Sequence, residues 1–307
     1  LFHMPLFFLL GGMTAKTRAF QEEEFCSDVM RIMLPYFTFL MLVVVIPSIC
    51  LWVMASIDTV DLVKQLLRSA VGGEILVKYA SVFWFPTCYL MCRLIYSYRL
   101  ELFGSERVFL VVSVLVGLAS IAASYAWPGF WLPWAINVVP VAILYFVAGR
   151  CIADIGFARL SRLHLPIMLL GGAGIYLACV GVISPVDMKF AAYGTPGLAI
   201  GAALFAAAGT VAIAEHLSRV AVVGRTLAFL GRASLVVMFV HQPAWLVLSE
   251  QGGIGNVWLL VAFALLSSLA VYVIAHQSVL LRAAVLGEVT AMRSTTHRAM
   301  QIFSARS

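Results

Sequence analysis

The chain has 307 residues, 63% of them hydrophobic and 11% charged, with a net charge of +6 and a mean hydropathy of +1.02. A soluble domain is about half apolar and about a quarter charged, so this sequence has too little polar residue to cover a globule in water, and one polytopic membrane domain is the natural count. The cations are spread among short loops rather than gathered in a patch, which argues against a nucleic-acid partner and makes the lipid bilayer the first partner to consider.

A spanning helix needs about 20 mostly apolar residues. Residues 1–13 form part of one span, opening on Leu1 with neither a start methionine nor a basic leader, so the chain is expected to lack its true N-terminus. Full spans are predicted at 32–54, 80–98, 108–126, 132–149, 165–183, 196–215, 233–250 and 256–280. The expected fold is an all-α polytopic transmembrane bundle of about eight full spans and one partial N-terminal span. Residues 1–281 then make one transmembrane domain, and 282–307 a basic tail that reads as an interfacial helix or a disordered segment.

Alternating the loops from 14–31 onward puts fifteen Lys and Arg on one side and four (Lys64, Arg68, Lys78 and Lys189) on the other, with Arg93 left inside a span. That bias predicts a multi-pass protein of the inner (plasma) membrane, with the fifteen-cation side and the C-terminus cytoplasmic. Glu22, Glu23 and Glu24 read as a solvated acidic face, and Asp58 and Glu74 as accessible carboxylates in the longest non-cytoplasmic loop. Trp127, Trp131 and Trp134 sit at a non-cytoplasmic boundary, as aromatic belt residues do. Gly171, Gly172 and Gly174, and Gly197, Gly201 and Ala202, have the spacing of close helix packing. Cys88 and Cys92 stand one helical turn apart without a partnering Cys or His pair, so the six cysteines read as packing residues and no metal site is expected.

Ionisable groups at bilayer depth are costly and mark candidate functional sites. His241 lies about nine residues into its span, followed by Gln242 and by Pro243, which removes a helix hydrogen bond. Structural and functional readings of His241 weigh equally on residue physics alone. Arg93 reads either as a cation snorkelling to the headgroups or as an internal cation holding a carboxylate or phosphate. His3 stands before Met4-Pro5 at a depth the sequence leaves open.

The same stretches resemble the integral-membrane acyltransferase-3 family, in particular its sugar and polysaccharide O-acetyltransferase branch. His3-Met4-Pro5-Leu6-Phe7-Phe8 through Gly12, Leu34-Pro35-Tyr36 after Arg31, Phe83-Trp84-Phe85 with Arg93 downstream, Tyr145 to Arg150, Tyr193-Gly194-Thr195-Pro196, and Leu230 to Leu235 leading to His241-Gln242-Pro243 are similar to family segments, in the family's order. Two departures stand out. Gly11 replaces the family's usual Ser, and the family's first span, with its basic residue and proposed catalytic histidine, precedes the region matched here.

The resemblance implies transfer of an acyl group, acetyl expected, from acyl-CoA to a hydroxyl of a sugar or cell-surface glycan. No bound cofactor is implied beyond acyl-CoA as donor substrate. A base must take the hydroxyl proton as oxygen attacks the thioester, and an imidazole, with an unperturbed pKa of about 6.5, suits that role. In the family that base is expected in the first span, and the resemblance leaves His3 and His241 as the candidate catalytic residues here, in substrate-positioning or auxiliary roles. Arg93, Trp84 and Gln242 become candidate substrate-binding residues, with Trp84 equally readable as an interfacial anchor. Arg150, Arg159 and Arg162 could attract CoA, although the orientation rule already explains them. A membrane transporter is the alternative of another class, without the internal repeat that carriers often show. A truncated, inactive acyltransferase is the third reading.

Overall fold

The computed structural model describes residues 2–156 and 163–288. Arg159, Arg162 and the tail from 289 onward therefore lie outside the described residues. Among the described residues the protein is helical, with a single isolated bridge between Asp187 and Ala192 and no strand. The helices are α1 (His3–Thr14), α2 (Glu22–Leu40), α3 (Ile46–Val53), α4 (Thr59–Val71), α5 (Trp84–Ser97), α6 (Arg99–Phe103), α7 (Glu106–Ala126), α8 (Val139–Ile155), α9 (His164–Cys179), α10 (Leu198–Ser218), α11 (Ala221–Leu246), α12 (Val257–Ala275) and α13 (Val279–Leu286).

The all-α membrane bundle is the fold observed, and every predicted span corresponds to a helix. The count of full spans differs. Among the described residues, six helical stretches are long and apolar enough to cross a bilayer: Glu22–Val53, Glu106–Ala126, Pro133–Ile155, Leu198–Ser218, Ala221–Gln251 and Val257–Ala275. α1 and α9 are apolar but shorter, and α5 has 14 residues. The shortening of α5 has a local cause. Pro86 falls in its first turn, where a missing N–H costs nothing, and the preceding Lys78–Ala80 forms a 3-10 turn rather than the start of the span.

The longest stretch, Glu22–Val53, joins α2 to α3 through a π-helical turn at Met41–Val45. Pro47 occupies the first turn of α3, and its absent N–H cannot complete the regular ladder, a common origin of such irregularity. Glu22, Glu23 and Glu24 make the first turn of α2, where carboxylates are favoured by the exposed N–H groups and dipole of the helix. Asp58 is exposed, as expected, and the segment after it, read as part of the longest loop between spans, contains a helix, α4. Asp58 caps that helix by accepting from Asp61 N at 2.7 Å, and Gly72 closes it.

The chain divides into two compact units, one made of residues 1–20 and 87–227, the other of 21–86 and 228–307. In the first unit α1 packs along α8, and α9 along α10. Gly171 and Gly174 of α9 face Ala206 and Ala202 of α10, as their spacing predicts, whereas Gly172 and Gly201 meet no neighbouring atoms. α6 is pinned to α7 by Arg99, whose side chain is 9% exposed and pairs with Glu106 at 2.7 Å. Its guanidinium also donates to Tyr96 O at 2.9 Å and lies 4.0 Å from the Tyr96 ring centroid. In the second unit α13 packs on α2. There Gly287 approaches the carbonyl of Arg31, the oxygen that Pro35, four residues on, cannot engage.

Candidate functional site

The first unit holds His3 and Arg93. His3 opens α1 and is exposed, on the helix face shared at i+4, i+7 and i+11 by the exposed Phe7, Leu10 and Thr14. The opposite face carries Phe8, Leu9, Gly11 and Gly12 into the packing. A Cβ on Gly12 would overlap the Phe146 carbonyl of α8, and one on Gly149 of α8 would overlap the Leu9 carbonyl of α1. The two helices are thus in backbone contact at a reciprocal pair of glycines. The Gly11 departure has a local counterpart, because a side chain there would meet the Tyr89 and Phe146 rings.

Arg93 is half-buried on α5. Its spacing from Tyr89 (four residues back) and Tyr96 (three on) puts all three on one helix face. That face meets an aromatic ladder: the Tyr89 ring centroid lies 6.2 Å from Phe8 and 6.1 Å from Phe146, and that of Tyr96 lies 5.4 Å from Phe146 and 5.9 Å from Phe109. Below the ladder, Arg18 N donates to Ser97 O at 3.0 Å. Arg150 pairs with Asp154 and donates to Ala15 O at 3.4 Å, so a local acid already engages that cation.

At the other end of this unit, Tyr193-Gly194-Thr195-Pro196 forms an anchored turn. Ser184 N donates to Thr195 Oγ1 at 2.9 Å, Thr195 N donates to Ser184 O at 3.2 Å, and the Tyr125 hydroxyl donates to Gly194 O. Burial pushes the Tyr193 phenol above its ordinary range. Gly194 has φ +64°, and a Cβ would overlap the Ser184 carbonyl. Gly194→Ala is therefore expected to cost at least about 1–2 kcal/mol from the left-handed backbone alone, measured by denaturant unfolding in detergent. Nearby, Trp134 and Ala135 also hold positive φ, a conformation unusual for residues with side chains. Thr87 Oγ1 donates to Trp134 O at 2.9 Å and Ser120 Oγ to Asn137 O at 3.2 Å, fixing that segment. Trp127, Trp131 and Trp134 are exposed, as an aromatic belt requires.

The second unit holds Trp84, His241 and Gln242. Trp84 is 3% exposed, with its ring centroid 6.1 Å from that of Phe85. Such burial overturns the reading of Trp84 as a surface anchor. Its neighbour Phe83 packs against Phe239 at 5.1 Å and Tyr36 at 5.5 Å, and Phe39 stacks on Phe239 at 4.7 Å. This aromatic core is where the Leu34-Pro35-Tyr36, Phe83-Trp84-Phe85 and α11 segments meet.

His241 lies two residues beyond Phe239 on α11, a rotation of about 200° about the helix axis, and is exposed. Its Nδ1 is 2.7 Å from Val237 O. A carbonyl can only accept, so Nδ1 carries the proton and neutral His241 offers Nε2 as a lone pair. His216 and His276 make the same contact with the carbonyl four residues back, both at 2.9 Å. The contact therefore sets the tautomer but does not distinguish a base from a structural histidine. Gln242 is half-buried beside it.

No curated protein and no solved structure gives a significant match to this chain. A family model described as an acyltransferase domain, acyltransferase-3, matches residues 1–276, a range that takes in His3, Trp84, Arg93, His241 and Gln242. Because that match spans most of the sequence, the chain belongs to the acyltransferase-3 family.

Proposed function

We propose that this protein is a membrane O-acyltransferase that moves an acetyl group from acetyl-CoA to a hydroxyl of a sugar or cell-surface glycan. The observation that carries the reading is the family match over residues 1–276, on a helical membrane fold. In the proposed reaction the acceptor oxygen attacks the thioester carbonyl while an imidazole nitrogen takes its proton. The tetrahedral intermediate then collapses, the C–S bond breaks, and CoA leaves as the thiol with that proton. The product is the acetyl ester.

Within the second unit, His241 Nε2 is the proposed base, supported by its exposure and by its place in the Leu230 to Pro243 stretch that resembles the family, with Gln242 and Trp84 as substrate-binding residues. Within the first, Arg93 is assigned to a phosphate or the thioester region of the donor, and His3 to an auxiliary role. Arg93→Ala should raise the KM for the donor, and Arg93→Lys should restore only part of it, because an ammonium lacks the two-pronged geometry of a guanidinium. The fifteen-to-four cation bias supports an inner-membrane orientation with the C-terminus cytoplasmic.

The experiment is transfer of radiolabelled acetyl from CoA by membranes carrying the protein, with cell-surface glycans analysed by mass before and after loss of the gene. Label appearing as a base-labile ester on glycan is the expected result. Solute flux in vesicles without any acyl donor, and no label transfer, would replace the enzyme with a carrier.

A further inference from the structure

α4 is used neither by the aromatic core nor by the proposed chemistry, and its three faces differ in kind. One face is tied to its own unit. Gln65 Oε1 lies 2.6 Å from the buried Ser48 Oγ of α3, and Ser69 is buried. A second face carries Asp61, Lys64 and Arg68, all exposed, with Lys64 Nζ 3.4 Å from Asp61. The third carries Val60, Val63, Leu66 and Leu67, which are 58%, 47%, 36% and 60% exposed. With Ala70, these positions cover an arc of about 120° at 100° per residue, directly beside the charged arc.

The level at which α4 is tied follows from helix length. The Glu22–Val53 stretch has 32 residues, about 48 Å at 1.5 Å per residue, which exceeds a hydrocarbon core of about 30 Å. Its last charge is Arg31, and about 20 apolar residues from Ile32 reach Leu51. The Ser48–Gln65 contact therefore falls near the bilayer boundary. Leu51, Trp52, Val53 and Met54 are exposed there, and Trp52 Nε1 donates to Thr59 Oγ1 at 3.2 Å, linking that surface to the head of the aliphatic arc.

We propose that α4 is an interfacial helix seated in the leaflet at the Val53 end of the Glu22–Val53 span, with the bilayer itself as the occupant of its aliphatic face. Two observations select lipid over a protein partner. The exposed Trp52, at the end of the membrane-crossing stretch, is hydrogen bonded to Thr59, which shares a helix face with Val63 and Leu66, and Lys64 and Arg68 flank that arc where long cationic side chains can reach phosphates while the aliphatic residues enter the acyl region.

The test places single spin labels at Val63→Cys, Lys64→Cys, Leu67→Cys and Arg68→Cys. The background replaces the exposed Cys26, Cys50, Cys151 and Cys179 with Ser, and the protein is reconstituted into vesicles of phosphatidylcholine and phosphatidylglycerol. Labels at 63 and 67 should collide mainly with oxygen, which partitions into the bilayer, and labels at 64 and 68 mainly with a water-soluble nickel chelate. Nickel access at all four positions would put the helix in water. Protection of 63 and 67 from both reagents would mean that protein, such as a second copy of this chain, covers the face. Either result overturns the proposal. A second measurement uses the unmodified protein and a phospholipid bearing a diazirine on an early acyl carbon. Photoadducts on the 59–71 peptide are expected, and their absence also overturns the proposal. Neither measurement depends on acyl transfer.

Discussion

Replacing His241 with alanine is expected to lower acetyl transfer by about 100- to 10,000-fold, the range that a positioned general base contributes, while leaving the amount of folded protein in the membrane unchanged. The basis is what the side chain does and does not do for the fold. His241 is exposed, and its ring contact is to a carbonyl of its own helix. The aromatic core of the unit is organised around Phe239, on another face of α11. Removing the imidazole therefore deletes a proton acceptor without opening a cavity. His241→Gln should fall equally far, because an amide keeps polarity but cannot accept a proton to become charged. The control is His276→Ala, which has the same contact to the carbonyl four residues back but lies outside the Leu230 to Pro243 stretch that carries His241. It should lose far less activity per folded molecule. Wild-type turnover by His241→Ala would end its assignment as the base.

The helices were legible because an apolar run of about 20 residues fits a membrane-crossing helix and little else, and all nine predicted apolar segments correspond to helices. What the runs did not carry was where each helix stops. The stretch 80–98 reads as one span, yet the turn at Lys78–Ala80 and Pro86 in the first helical turn leave α5 with 14 residues. Hydropathy averaged over a window cannot see such an effect. α4 was missed for the opposite reason: its apolar and charged faces cancel in composition. Its bounds were nevertheless written in the chain, as Asp58 three residues before Asp61 and Gly72 at the end. The positive φ of Trp134 and Ala135 leaves no comparable trace, because that segment is held by distant partners such as Thr87.

The candidate site was legible as a set of residue types and not as an arrangement. His241-Gln242-Pro243 stood out because polar groups at bilayer depth are rare, but the tautomer depends on the observed contact with Val237 O. The company of Arg93 on its helix face, Tyr89 and Tyr96, follows from spacing. The ladder those rings form with Phe8, Phe109 and Phe146 joins residues far apart in the chain. Trp84 is the plainest case. The sequence reads equally as a substrate-binding ring or an interfacial anchor, and tertiary packing buries the side chain.

Gly149→Ala is expected to destabilise the protein by about 2–3 kcal/mol or more, toward the upper end of overpacking costs. The obstacle is the Leu9 carbonyl, and backbone in a packed helix pair has no alternative rotamer to adopt. Relief requires α1 and α8 to separate along their whole contact, so the cost is spread over the Phe8, Tyr89 and Phe146 packing as well. Gly12→Ala meets the Phe146 carbonyl in the same way and should cost a similar amount. The double variant discriminates between this mechanism and two independent local effects. Once the first Cβ has parted the helices the second finds more room, so the combined loss should fall short of the sum by about 0.5 kcal/mol or more, the scale at which coupling is resolved. Gly172→Ala on α9 is the matched control. Nothing lies within 4 Å of the added carbon, so stability should hold or rise by up to about 1 kcal/mol from helix propensity. Reversible unfolding in mixed micelles, followed by helix content, measures all four. Equal behaviour of Gly149→Ala and Gly172→Ala would show that α1 and α8 are not in backbone contact at these glycines.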